Sequence, residues 1–139
     1  MRRLIRSTPV IAALGGLSLL ALGCGGTPTP PPGLNENQTA GWQAYVDLKC
    51  GDCHGENREG RRTAPALVGL DTLWTSDQLV SYLADPDAML ASDPRLAFRA
   101  EKYAIGMPKA VSAKSPGYSE TAAEERLRAL AEYMLVDIE

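Results

Sequence analysis

The run Lys49-Cys50-Gly51-Asp52-Cys53-His54-Gly55 constrains this chain more than any other stretch. Two cysteines stand three positions apart, and the second is followed at once by the only histidine among 139 residues. Three reactive side chains this close must serve one site, and the fold has to be built around it. Which chemistry they serve depends on where the chain resides.

The N-terminus answers that. Arg2, Arg3 and Arg6 form a basic start, and no charged residue occurs from Val10 to Gly23. This is the pattern of an export signal over residues 1–23. Its end, Ala21-Leu22-Gly23-Cys24, resembles a bacterial lipobox, in which the cysteine is lipidated and becomes the mature N-terminus. Ala21 stands where leucine is commoner. An ordinary cleaved signal and an uncleaved membrane helix are the alternatives, though the uncharged run is short of the about 20 residues a span needs. All three readings put the residues after Cys24 on the extracytoplasmic side. Residues 24–35, with "GGTPTPPPGLN", are rich in Pro and Gly and read as a tether. Extended polyproline geometry at about 3.1 Å per residue gives it a reach on the order of 30 Å.

Residues 36–139 are one small domain. Removing residues 1–23 removes three Arg and no acid, leaving 11 basic against 17 acidic residues, a net charge of −6. That argues against nucleic acid as a partner and weakly favours a partner with a positive face.

With Cys24 assigned to lipid, Cys50, Cys53 and His54 have four readings. C-x-x-C-H is the attachment signature of c-type haem. Each cysteine adds to one vinyl group, and the adjacent histidine ligates the iron. That attachment takes place outside the cytoplasm, so the export signal is its required companion. A thioredoxin-like redox pair wants a βαβ context, and no strand-like alternation surrounds Cys50. A structural zinc site needs four ligands, which the chain lacks. A plain disulfide leaves His54 unexplained. One covalent haem c, held by Cys50 and Cys53 with His54 on the iron, is the favoured reading.

No second histidine is present, so a sixth ligand would be methionine. Met134 falls in a strongly helical stretch and reads as core. Met89 lies in "DPDAML", 35 residues after His54; Met107 lies in "YAIGMPK", 53 residues after it. Gly106 permits unusual backbone angles and Pro108 stiffens the exit, which favours Met107. Met89 is the alternative.

Taken together, "CGDCHG", "GRRTAPALVG", "GMP" and a final amphipathic helix resemble the monohaem class I cytochromes c over nearly all of 36–139. The resemblance implies an all-α fold of about four helices wrapped around one covalent haem. It implies that Pro65, eleven residues after His54, accepts the imidazole N–H through its carbonyl, which orients the ring. It also implies that Leu67 packs on the porphyrin and that Gly69 permits the turn. The family usually has Gly eight residues before the first cysteine. That position is Trp42 here, with Gly41 beside it, so the family's glycine contact between first and last helices is not expected.

The helices can be read independently. Asn35-x-x-Gln38 is an N-terminal cap, followed by Trp42, Tyr45, Val46 and Lys49 on one face. Thr75-x-x-Gln78 caps a helix with Leu79, Val80 and Leu83 inward, which stops before Pro86. Asp93-Pro94 starts a helix to about Tyr103. Thr121-x-x-Glu124 caps the last, whose stripe is Ala123, Leu127, Leu130, Ala131 and Met134. Trp74 and the pair Arg61 and Arg62 are candidates for haem propionates, with edge packing and solvated loop charges as the plainer readings. Tyr103 is a candidate to close over the haem edge.

The expected function is electron transfer by a His/Met-ligated haem cycling Fe(II)/Fe(III), not enzymatic catalysis. Its partners would be redox proteins, with the lipid raising effective concentration at the membrane. The alternatives are a gas-binding or peroxidase-like haem protein with an open sixth site, or a fixed subunit of a larger oxidase or reductase. The chain itself would be a monomer or a subunit of such a respiratory complex.

Overall fold

The computed structural model describes residues 28–110 and 119–137; Cys24 and the export signal lie outside them. Six α-helices are present among the described residues, and no strand. They are α1 (Glu36–Asp47), α2 (Cys50–His54), α3 (Ser76–Ala84), α4 (Pro86–Ser92), α5 (Pro94–Ala100) and α6 (Glu120–Leu135). A 3-10 turn, Leu70–Thr72, lies between α2 and α3.

Local chemistry sets most of the boundaries. Asn35 caps α1 with a reciprocal Gln38 contact, at 2.9 and 3.0 Å. Thr75 and Gln78 do the same for α3. Each box satisfies two amides at a helix start that have no intrahelical partner. Leu34, just before the first cap, packs against the core. Helix α3 ends ahead of Pro86, as expected, but the chain does not leave the helical region. Asp85 closes α3 and caps α4 by accepting from Ala88 N at 3.3 Å, with Pro86 at the first helical position, where its missing N–H costs nothing. Helix α4 and the short α2 are the two elements beyond the four expected. Helix α5 starts at the predicted Asp93 cap and ends at Ala100, short of Tyr103.

Three expectations need correction. Helix α6 is capped by Ser119, whose hydroxyl accepts from Ala122 N at 3.2 Å, and Thr121 already lies inside the helix. Ser119 has the extended backbone a cap requires. Lys49 does not extend the inward face of α1. That helix ends at Asp47, and Lys49 sits exposed in a left-handed conformation, φ 56°, which turns the chain into α2. Third, Gly41 does make the close helix contact that its register seemed to forbid. A Cβ there would stand 1.9 Å from Ala129 O and 2.7 Å from Tyr133 Cβ. Only glycine lets α1 and α6 approach this closely.

Around that contact Trp42, Ala44 and Tyr45 of α1 join the expected stripe of α6 and Leu79 and Leu83 of α3 in one core. Fully burying each large apolar side chain contributes about 1.5–3 kcal/mol. The Tyr45 and Tyr133 rings meet edge to face at 5.6 Å, a favoured aromatic geometry. Exposed ion pairs, Arg126 with Asp47 at 2.8 Å and Arg128 with Asp77 at 3.1 Å, link α6 to α1 and α3. Such pairs add little stability.

Candidate haem-binding site

Helix α2 is a single turn that carries Cys50 and Cys53, residues i and i+3, on one side. His54 closes it, and Gly55 then turns the chain away at φ 88°. The Gly55 carbonyl accepts from the buried Tyr45 hydroxyl at 2.7 Å, and the His54 carbonyl accepts from Gly60 N, also at 2.7 Å. The motif is thus pinned to α1 on one side and to its own loop on the other.

His54 is buried, with Nδ1 2.8 Å from the Pro65 carbonyl oxygen. A carbonyl only accepts, so Nδ1 carries the proton and Nε2 keeps the lone pair. Burial lowers the ring's proton affinity, which the Pro65 contact partly restores. The imidazole is therefore neutral at pH 7, the form that ligates a metal. Burial pushes the Cys50 thiol up to about 11. A redox-active cysteine of the thioredoxin type has the opposite shift. Cys50 and Cys53 are not joined in a disulfide. Among the described residues no three His, Cys, Asp or Glu side chains are grouped to share a metal ion.

These residues form one edge of a cleft of about 580 Å³, within the about 300–1,000 Å³ usual for pockets that enclose a small molecule or cofactor. The cleft gathers Cys50, Cys53, His54, Pro65, Leu67 and Met107. Its walls are largely apolar, with Leu67, Leu79 and Leu83 buried in the core beside it. Met89 does not line the cleft; it borders an adjoining pocket of about 130 Å³ with Asp93 and Arg95, which shares Leu73, Trp74, Leu96 and Arg99 with the cleft. Met134 borders the cleft but is 4% exposed within the α6 stripe. Met107 is half-buried, and its segment is held by Ala110 N donating to Leu83 O at 2.9 Å. Gly106 has no left-handed backbone, so the freedom expected of it is not used. Gly69 does take a left-handed φ of 68° at the turn.

Trp74 lies at the cleft edge, stacked at a tilt on Tyr82 at 5.4 Å. Tyr103 also borders the cleft. Arg61 and Arg62 are exposed and take no part in its wall. Among the described residues, the charged ones that do are Lys49, Arg99, Lys102 and Lys109, all basic.

Sequence reasoning missed Arg58. It is 1% exposed, yet it lies in the loop after the motif. Its guanidinium donates to Tyr133 O, Met134 O and Val136 O at 2.8, 3.1 and 2.8 Å. The only available signal was indirect. Helix α6 ends without a glycine or a basic residue to meet its last carbonyls, so a donor had to come from elsewhere.

An apolar cleft, a neutral imidazole with one ring nitrogen free to ligate, and two unpaired thiols at one edge together fit a covalently held haem. This is the site of a small all-α haem protein. The chain belongs to the cytochrome c family, whose model matches residues 38–136. No curated protein and no solved structure matched the chain. Its cofactor is haem c and its chemistry is haem-based electron transfer; members of the family are generally electron carriers rather than enzymes.

Proposed function

We propose that this chain is a monohaem electron carrier of the class I type, lipid-anchored at Cys24 on the extracytoplasmic side, with His54 and Met107 as axial ligands. Haem c bound through Cys50 and Cys53 supplies one-electron Fe(III)/Fe(II) cycling. The observation that carries the ligand pair is that Met107 lines the cleft with His54, whereas Met89 does not line it and borders the adjoining pocket.

The chain's own residues then have distinct tasks. Pro65 O orients the imidazole and raises its donor strength. A methionine ligand favours the ferrous state relative to a second histidine, and the apolar walls work in the same direction. Lys49, Arg99 and Lys102 make the cleft mouth basic although the exported chain is acidic overall, while Lys109 beside them is paired with Asp85. Fields between exposed charges fade over about 8 Å at physiological salt. The docking face, not net charge, therefore selects the partner, and it suits a redox protein with an acidic surface. The membrane anchor rests on the N-terminal sequence alone.

The test is spectroscopic, on protein matured with haem in vivo. The oxidised protein should show a methionine–iron charge-transfer band that Met107→Ala abolishes and Met89→Ala leaves in place. Retention of the band in Met107→Ala would move the ligand to Met89. A haem that extracts into acid acetone would remove covalent attachment altogether.

A further inference from the structure

Arg58 is a buried charge with no task in the haem site itself. Its backbone belongs to the loop that carries the haem motif: its N–H donates to Gly55 O at 3.2 Å, and its carbonyl accepts from Leu67 N at 2.8 Å. Its side chain belongs to the far end of the chain, bound to three carbonyls at the close of α6 and lying over the Tyr133 ring at 4.9 Å. The residue holds a left-handed φ of 63°, costly for a side chain with a Cβ. No carboxylate lies within ion-pairing distance of it among the described residues, and its Nε has no hydrogen-bond partner.

Satisfying carbonyls does not require a charge; a neutral amide could donate to them at less desolvation cost. Arginine cannot deprotonate in a protein, so a full positive charge is buried with dipoles as its direct partners, and the Asp137 carboxylate acts on it only at longer range. The loop returns on itself between Gly55 and Gly60, where Gly60 N meets His54 O. The backbone of Arg58 therefore belongs to the same compact loop as His54, while its guanidinium lies at the carbonyls that end α6. The oxidised site carries one more positive charge than the reduced site, so a fixed cation nearby opposes oxidation. Coulomb interaction at an effective dielectric of about 20 falls only as the inverse of distance, so a charge anchored to this loop biases the couple on the order of tenfold.

We propose that Arg58 is a positioning and potential-setting residue: it ties the end of α6 to the haem-attachment loop, and its charge, which no carboxylate pairs at close range, holds the iron toward the ferrous state. This rests on haem attachment at Cys50, Cys53 and His54 and is independent of which methionine is the sixth ligand.

The experiment is redox potentiometry of the full holoprotein in wild type, R58K, R58Q and R58M. R58Q and R58M should shift the equilibrium about tenfold toward the oxidised state, a fall of about 59 mV for a one-electron couple. R58K, which keeps the charge and loses the fork, should stay much closer to wild type. The methionine–iron band should persist in all four, showing that the ligands have not changed. An unchanged potential in band-retaining R58Q or R58M overturns the proposal, as does an equal fall in R58K. Loss of holoprotein in both neutral variants with R58K intact would also overturn it, because the charge would then serve folding alone. Haem that is not covalently attached in the wild type would instead defeat the site assignment.

Discussion

Gly41→Ala isolates the helix contact on which the domain is built. Two effects oppose one another. In a helix interior alanine is favoured over glycine by about 1 kcal/mol. Against that, the new methyl would stand 1.9 Å from Ala129 O and 2.6 Å from Ala129 C, where ordinary contact begins at 3.4 Å. These are backbone atoms of α6 and cannot rotate away, so the helices must part by about 1.5 Å. Separation on that scale also loosens the Tyr45–Tyr133 contact and the core around it. Overpacking costs about 1–3 kcal/mol and sometimes more; a backbone clash belongs at the upper end. The net loss should be about 2 kcal/mol, or roughly 8–16 °C in melting temperature for a domain of this size. The assay is denaturant and thermal unfolding of the holoprotein, followed by far-ultraviolet circular dichroism. Gly51→Ala is the control. A Cβ there meets nothing closer than 3.5 Å, and its φ is not left-handed, so it should be neutral or slightly stabilising. A Gly41→Ala protein as stable as wild type would refute the close approach of α1 and α6.

Three further expectations concern the cleft and the anchor. Tyr45→Phe removes one of the two donors to Gly55 O, the other being Arg58 N, and should cost about 0.5–1.5 kcal/mol, the net worth of one hydrogen bond, read as a fall in denaturation midpoint. Burial raises the Tyr45 pKa well above its ordinary value near 10. The folded state therefore keeps a proton that the unfolded state releases, and wild-type stability should fall as pH rises above about 10. Tyr45→Phe should show a shallower fall. Asp85→Ala removes both the Lys109 ion pair at 2.6 Å and the α4 cap; the methionine–iron band should then vanish at a lower temperature than in wild type. Because Lys109 holds the Asp85 carboxylate below its usual range, that contact is complete above about pH 4 and lost on further acidification. Cys24→Ala should release the holoprotein from the membrane fraction into the soluble extract; continued membrane association would refute the lipid anchor.

The features legible in the sequence were local. The boxes at Asn35–Gln38 and Thr75–Gln78 are contacts across three residues, and both formed. The α6 stripe is likewise one helix's own period, and all five of its residues are buried. Thr121–Glu124 failed although it fits the same pattern. Ser119, two residues earlier, competes for the role, and the backbone before the helix decides between them. Gly41 was misjudged because counting back from Cys50 fixes a position along α1, not which residue faces α6. Arg58 meets partners 75–78 residues away, beyond any periodicity. The basic cleft mouth is also assembled from scattered positions, and net charge concealed it.

The two flanks of the cleft are held unequally, and this bears on function. On the His54 side, the ring is fixed by Pro65 O, its carbonyl by Gly60 N, the next carbonyl by Tyr45, and the returning segment by Leu67 N on Arg58 O. As the proposed iron ligand, an imidazole held so firmly would move little when the charge of the site changes, which would keep the cost of each electron transfer low. On the Met107 side, residues 101–110 contain no helix. Among the described residues, its polar contacts beyond the adjoining α5 are Ala110 N on Leu83 O and the exposed Lys109–Asp85 pair, beside the packing of Met107 and Ala110 on the core. Exposed pairs contribute little and are screened by salt. On the proposed ligation, the imidazole flank should therefore persist with the folded core, while the Met107 flank should open first under heat, acid or salt. Asp85→Ala should reach that opening sooner, losing the methionine–iron band while the helical signal of α1, α3 and α6 remains. Simultaneous loss of both signals would mean that the core, not the Asp85 contact, holds the methionine in place.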